Sequence, residues 1–247
     1  MARIDFNCDL GEGCGDDTAI VPWLTSASIA CGAHAGDDAT MRATLRLCRT
    51  HGVAAGAHPG YADRAHFGRR DLAMAPDELR ALLDAQLQRI GAIAAEEGIP
   101  LAHVKPHGAL YNLAARDPDV AGVVAAAVHA FDASLVLFAL SGSASIRAGE
   151  AAGLRVAHEA FAERAYDADG RLAPRGTPGA VLEDVDAAIA QVRRLVRAGS
   201  VATRDGTDIR LQADTLCLHG DRPDAPAFAR ALRTTLEAEG IIVEAFR

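Results

Sequence analysis

Short apolar runs alternate with longer amphipathic stretches along this chain. Arg3 to Asp9 alternates apolar and polar positions, and Ser26–Cys31, Val53–Ala57, Leu101–Lys105, Leu135–Leu140, Leu154–Ala157 and Thr215–Leu218 are compact apolar segments. Each has the length and β-branched or small-residue content of a strand, and Leu135–Leu140 is apolar throughout, as a strand buried on both faces must be. Between them, positions such as Met41, Leu45 and Cys48, or Leu79, Leu83, Leu87 and Ile90, recur at helical spacing. Asp37 stands where an N-cap belongs, Pro76 where a first-turn proline is tolerated, and Gly199 where a helix ends. Helices are predicted over 118–131 and 143–152, a hairpin turning at Asp205-Gly206 within Val201–Leu211, and a last helix with a short strand at the end. Two stretches lack periodicity: one running to Ala75 after the third strand, the other rich in Gly and Pro after the sixth. Loops this long in a βα pattern read as lids or binding loops.

Repeated strand–helix units with no linker or composition shift predict one domain over 1–247, built as an α/β fold of about seven parallel strands. The 247 residues suffice for a sizeable core. With 50% hydrophobic but only 4% aromatic residues, that core must be made of Ala, Val, Leu and Ile. A net charge of −8 argues against a nucleic-acid or anionic-membrane surface. No run approaches the roughly 18 apolar residues of a membrane span. There is no basic-then-apolar leader, and the five cysteines are odd in number and show no paired metal spacing. A reduced, cytoplasmic protein is expected.

The ionisable residues sort to the C-terminal ends of the predicted strands: Asp9 with Glu12, His34, His58, Lys105 with His107, Glu159 with Arg164, and His219 with Asp221. In a parallel barrel these ends converge on one face, where barrel enzymes keep their catalytic groups. Lys105 is the only lysine among 25 basic residues. A compact ammonium that can lose its proton, pointing into a solvated cleft, would explain its retention in an arginine-rich chain. Asp9, His34 and His58 have the donor types of a divalent-metal site, although a structural hydrogen bond suits each histidine equally. Cys31 near His34 is better read as a small buried filler than as a nucleophile. Arg69-Arg70 offers a clamp for a carboxylate or phosphate, or an ordinary solvated pair. Glycines 11, 13 and 15 do not have dinucleotide spacing, no Gly-Lys-Ser/Thr occurs, and no Gly-x-Ser-x-Gly elbow is present.

Asn7-Cys8-Asp9-Leu10-Gly11-Glu12, Ile29-Ala30-Cys31-Gly32, His34-Ala35-Gly36-Asp37, Gly56-Ala57-His58-Pro59-Gly60, Phe67-Gly68-Arg69-Arg70, Lys105-Pro106-His107-Gly108-Ala109-Leu110-Tyr111-Asn112 and His219-Gly220-Asp221 together resemble the LamB/YcsF family, in order and over essentially the whole chain. The resemblance implies a distorted (β/α) barrel similar to the glycoside hydrolase/deacetylase superfamily. It implies the role of the A subunit of a 5-oxoprolinase, in which ATP drives hydrolytic opening of 5-oxo-L-proline to L-glutamate in concert with two partners, the B and C subunits. On this reading Asp9, His58, Lys105, His107, Glu159 and His219 are the catalytic candidates. Glu12, Arg69, Arg70, Tyr111, Asn112, Arg164 and Asp221 are the substrate-binding candidates. The alternatives are a stand-alone metal-dependent deacetylase or amidohydrolase, and a non-catalytic member of a larger complex. The chain departs from the family's usual residues at Glu163, where Asp is common, and at Ser28 and Ala33, where Asn and Phe are common.

Overall fold

The computed structural model describes residues 2–174, 176–220 and 224–246. Seven parallel strands close into a barrel: β1 (Arg3–Leu10), β2 (Ser26–Ala30), β3 (Ala54–His58), β4 (Leu101–Val104), β5 (Val136–Leu140), β6 (Arg155–Phe161) and, after a two-stranded ribbon, β9 (Thr215–His219). Closure is made by β9, which pairs with β6 on one side and with β1 on the other, Asp5 opposite Thr215 and Asp9 opposite His219. The ribbon is β7 (Ser200–Ala202) against antiparallel β8 (Asp208–Arg210), turning at Gly206 with φ of 84° as expected for an Asp-Gly turn. A last strand, β10 (Ile242–Val243), joins the outer edge of β1.

The helices are α1 (Asp17–Ile20), α2 (Asp38–His51), α3 (Pro76–Glu97), α4 (Gly108–Arg116), α5 (Pro118–Asp132), α6 (Ala144–Ala151), α7 (Val185–Ala198) and α8 (Ala225–Ala238). Local chemistry fixes their ends. Asp37 accepts from Thr40 N at 2.8 Å to start α2, and Gly52, at φ of 68°, stops it. Pro76 opens α3, whose buried stripe includes Leu79, Leu83, Leu87 and Ile90. Each such side chain contributes about 1.5–3 kcal/mol by leaving water. The core is mostly aliphatic, as its composition requires, with Phe6, Phe138 and Phe228 among its largest buried side chains.

Three elements depart from the sequence reading, the first being the short helix α1, which follows the glycine-rich turn after β1. Helix α4 is not expected from the sequence, because its first residue is a glycine and the Lys-Pro-His-Gly stretch before it reads as loop. Strand β6 continues to Phe161, four residues past the predicted end at Ala157. His158 and Glu159 read as a strand tip, yet Glu159 is fully buried inside the barrel, where other side chains meet its charge. The segment between β6 and β9 forms one wall of the C-terminal cleft. Tyr166 bridges to Leu172 and Thr203, and its hydroxyl accepts from Phe161 N at 2.8 Å. Gln191 of α7 donates to the carbonyls of Phe161, Ala162 and Arg164 at 2.9–3.2 Å, fastening the segment to a helix.

Candidate active site

Every second residue of β1 points inward, and on this strand those residues are Asp5, Asn7 and Asp9. They begin a polar column along the barrel axis. The Asp5 carboxylate accepts from Thr25 at 2.7 Å, from Ser26 at 2.6 Å and from Thr215. Asn7 Nδ2 donates to Thr215 Oγ1 at 2.7 Å and to Glu159 Oε1 at 3.0 Å. Lys105 Nζ stands 2.8 Å from Glu159 Oε1, 3.1 Å from Asn7 Oδ1, 3.1 Å from Cys217 Sγ and 2.9 Å from Asp9 Oδ1. Burial raises the Asp5 pKa despite its three hydroxyl donors.

Lys105 is therefore not the titrating, solvated residue expected from the sequence. It is 2% exposed. Burial works against the ammonium, but the carboxylates of Asp9 and Glu159 outweigh it and hold the pKa well above the ordinary lysine range. The same pairing reverses the effect of burial on Asp9, where His58 and Lys105 keep the carboxyl well below its usual range. A fixed ion cluster sits at the floor of the cleft.

Above it lie three imidazoles and Glu12. His58 donates from Nδ1 to Lys105 O at 2.7 Å, so its Nε2 faces Asp9 Oδ2 at 3.3 Å and His107 Nδ1 at 2.9 Å. His107 donates from Nε2 to Phe67 O at 2.8 Å, and its Nδ1 lies 3.2 Å from Glu12 Oε1. His34 reaches the same Glu12 oxygen at 3.2 Å and stacks on His107, the rings 3.7 Å apart and 1° from parallel. Burial lowers the His107 pKa and brings that of His34 to about 4. Burial also opposes charge on His58, but the Asp9 carboxylate outweighs it and leaves that pKa raised. For Glu12 burial is overcome by its contacts with His107 and His34, which hold the carboxyl low.

The structure places the expected ligand set as follows. His34 and His58 gather with Glu12 and His107, their candidate ligand atoms all within 4.8 Å of one another. Asp9 divides its oxygens between Lys105 and His58, and His34 sits behind the cleft wall rather than on it.

The cleft, about 640 Å³, is lined by Asp9, Glu12, His58, Lys105, His107 and His219, with Tyr111, Asn112, Arg69 and Arg164 around them. His219 Nδ1 bonds Glu163, and its ring stacks on Phe161 at 5.5 Å. Burial and the Glu159 charge push the Tyr111 phenol well up. Arg69 stacks over Phe67 at 4.9 Å. The expected arginine pair is divided: Arg70 is not on the cleft but bonded to Asp63 at 3.1 Å, because the backbone turns between the two residues. Arg164 reaches the cleft, yet its guanidinium donates to Ala173 O at 2.6 Å and Ala180 O at 3.4 Å and so also braces its own loop. Asp221 lies outside the described residues. Cys31 is a buried filler, its thiol pushed up to about 12 by burial.

Sequence reasoning misses Asn7, Thr215 and Cys217 as partners of this machinery. The alternation Asp5-Asn7-Asp9 on a strand with an apolar outer face is the available signal for Asn7.

Residues 4–247 match the LamB/YcsF family. The chain belongs to that family. Among LamB/YcsF relatives, a protein of Chloroflexus aggregans named as the A subunit of 5-oxoprolinase is 54% identical over 248 residues, with 98% of each chain covered. One of Bordetella pertussis with the same name is 51% identical over 247 residues, again with 98% of each covered. The crystal structure of a lactam utilization protein from Thermus thermophilus superposes with a TM-score of 0.93 at 44% identity, covering 99% of this chain and 100% of that one. Of the LamB/YcsF motifs read from the sequence, those holding Asp9 and Glu12, His58, Arg69, Lys105 to Asn112, and His219 contribute residues to the cleft.

Proposed function

We propose that this chain is the hydrolytic A subunit of a 5-oxoprolinase, opening 5-oxo-L-proline to L-glutamate at the expense of ATP. ADP and phosphate are the other products, and the B and C subunits are the partners. The observation that carries this reading is the match to relatives bearing that name at about half identity over nearly the full length of both chains. The cleft offers suitable chemistry. A five-membered lactam is a stable amide, so its carbonyl must be activated, and phosphorylation of the amide oxygen by ATP supplies that activation. Water then attacks the activated carbon. His219 is the base this geometry favours, since Glu163 bonds its Nδ1 and stabilises the imidazolium formed on proton uptake. Lys105 holds fixed positive charge at the cleft floor, where negative charge develops on oxygen. His219, oriented by Glu163, is placed to return a proton to the leaving nitrogen.

The test is reconstitution with the two partner subunits, followed by an assay of glutamate release from 5-oxoproline. Release that needs all three chains and ATP supports the reading. Robust ATP-independent turnover by the isolated chain would replace it with a stand-alone amidohydrolase.

A further inference from the structure

We propose that Glu12 Oε1, His58 Nε2 and His107 Nδ1 bind one divalent first-row transition-metal cation, with zinc as the reference case, and that His34 supports Glu12 from outside the coordination shell.

The argument begins with protons. The remote nitrogens of His58 and His107 each face a main-chain carbonyl, at 2.7 and 2.8 Å, and a carbonyl oxygen can only accept. Both remote nitrogens therefore carry the hydrogen. In the neutral rings the inner nitrogens then present lone pairs to each other across 2.9 Å, with the Glu12 oxygen as a third acceptor 3.2 Å from one and 3.8 Å from the other. Three acceptors converging on one point need a positive species between them. Imidazoles whose far N–H is held by a carbonyl are the usual form of histidine metal ligands.

The spacing fits a cation. Ligands about 2.0–2.1 Å from a tetrahedral metal stand about 3.3 Å from one another, and the three separations here bracket that value. His34 fails the same test, because its ring is parallel to that of His107 at 3.7 Å, and a cation in the plane of one ring is out of the plane of the other. Asp9 pairs through Oδ1 with Lys105, which also meets Glu159, while its Oδ2 stands 3.3 Å from His58 Nε2 as a further acceptor beside the site. The carboxylates of Asp9, Glu12 and Glu159 outnumber that single ammonium in a buried setting, where uncompensated charge is costly.

The surrounding backbone supports this geometry. Phe67, which supplies the carbonyl to His107, is the only non-glycine residue at positive φ (55°) among those described. Such a conformation persists only where surroundings enforce it. The next residue is Gly68, where an added Cβ would lie 2.8 Å from His34 Cβ and 3.0 Å from His107 Cδ2.

Binding is measured without turnover, so this proposal and the assigned reaction stand or fall separately. The full-length chain, stripped with a chelator, is titrated with Co(II) and read by its visible d–d bands, then challenged with Zn(II). One Co(II) per chain, displaced by Zn(II) and weakened about tenfold or more by His107→Ala and by Glu12→Gln, supports the site. Circular dichroism and melting of each variant establish folding, and Glu12→Gln carries the test if His107→Ala does not fold. Failure of the wild-type chain to bind either cation overturns the proposal and leaves a shared proton between the rings. Binding unaffected by the two variants, or abolished by Asp9→Asn and His34→Ala while those two retain it, also overturns it.

Discussion

Lys105 Nζ lies 2.9 Å from Asp9 Oδ1, and both side chains are almost wholly withdrawn from water. The only lysine of the chain thus holds together carboxylates contributed by β1 and β6.

Removing that charge leaves the buried Glu159 without its cation and Asp9 with His58 alone, and breaking such a buried pair costs about 3–5 kcal/mol. Lys105→Met is expected to lower the urea midpoint by a corresponding amount. Lys105→Arg keeps the charge but places a planar, bulkier group among Asn7, Cys217 and Glu159. It should lower glutamate release by the reconstituted complex roughly a hundredfold and also reduce stability. Wild-type rate and midpoint for Lys105→Arg would show that a plain positive charge suffices.

Gly56 leaves room for His103. A Cβ there would lie 2.3 Å from His103 Nε2, and the ring is stacked on Phe138 with centroids 4.1 Å apart. Gly56→Ala should therefore destabilise the fold by about 1–3 kcal/mol, measured by chemical denaturation. An unchanged midpoint would show that the ring can move.

His103 also predicts a pH dependence. Burial brings its folded pKa to about 3, below an unfolded value of about 6.5. Between those values the unfolded chain takes up a proton that the folded chain refuses, so stability is full above pH 6.5 and falls as pH drops toward 3. The slope approaches about 1.4 kcal/mol per pH unit, the value set by one proton. Unfolding free energies of wild type and His103→Gln from pH 7 to 4 isolate the effect: the variant should fall less steeply. Parallel curves would refute the assignment.

Four of the five cysteines are buried and Cys14 is half-buried. Burial pushes the thiols of Cys31 and Cys48 up to about 12, far from the thiolate form that alkylating reagents require. Iodoacetamide at pH 8 should modify at most Cys14 in the native protein and all five after denaturation, as counted by mass spectrometry. Labelling of native Cys31 would revive the nucleophile reading.

The barrel and the face that carries its cleft are legible because strand ends carry polar residues while strand bodies are apolar, a pattern visible without any partner information. What is not legible depends on partners distant in the chain. The protonation state of Lys105 is inverted because its charge is set by Glu159 and Asp9, whose approach the sequence does not reveal. The grouping of His107 and Glu12 with His58 depends on ring orientations, and those are set by the carbonyls of Lys105 and Phe67. The inward column escapes notice because Asp5 and Asn7 look like the ordinary polar half of an alternating strand.

The junction of β1 with β9 brings together Asp5 and Thr215, 210 residues apart. Nothing local rewards that meeting, and loop closure over such a span costs entropy before any contact repays it. The column of buried polar groups completes its hydrogen bonds only when this seam shuts. An open barrel would keep Asp5, Asn7 and Glu159 hydrated, so drying of the barrel interior and completion of the cleft floor are coupled to closure of this seam. A chain interrupted before β9 would have most of its strands and helices but an open, unfinished cleft floor.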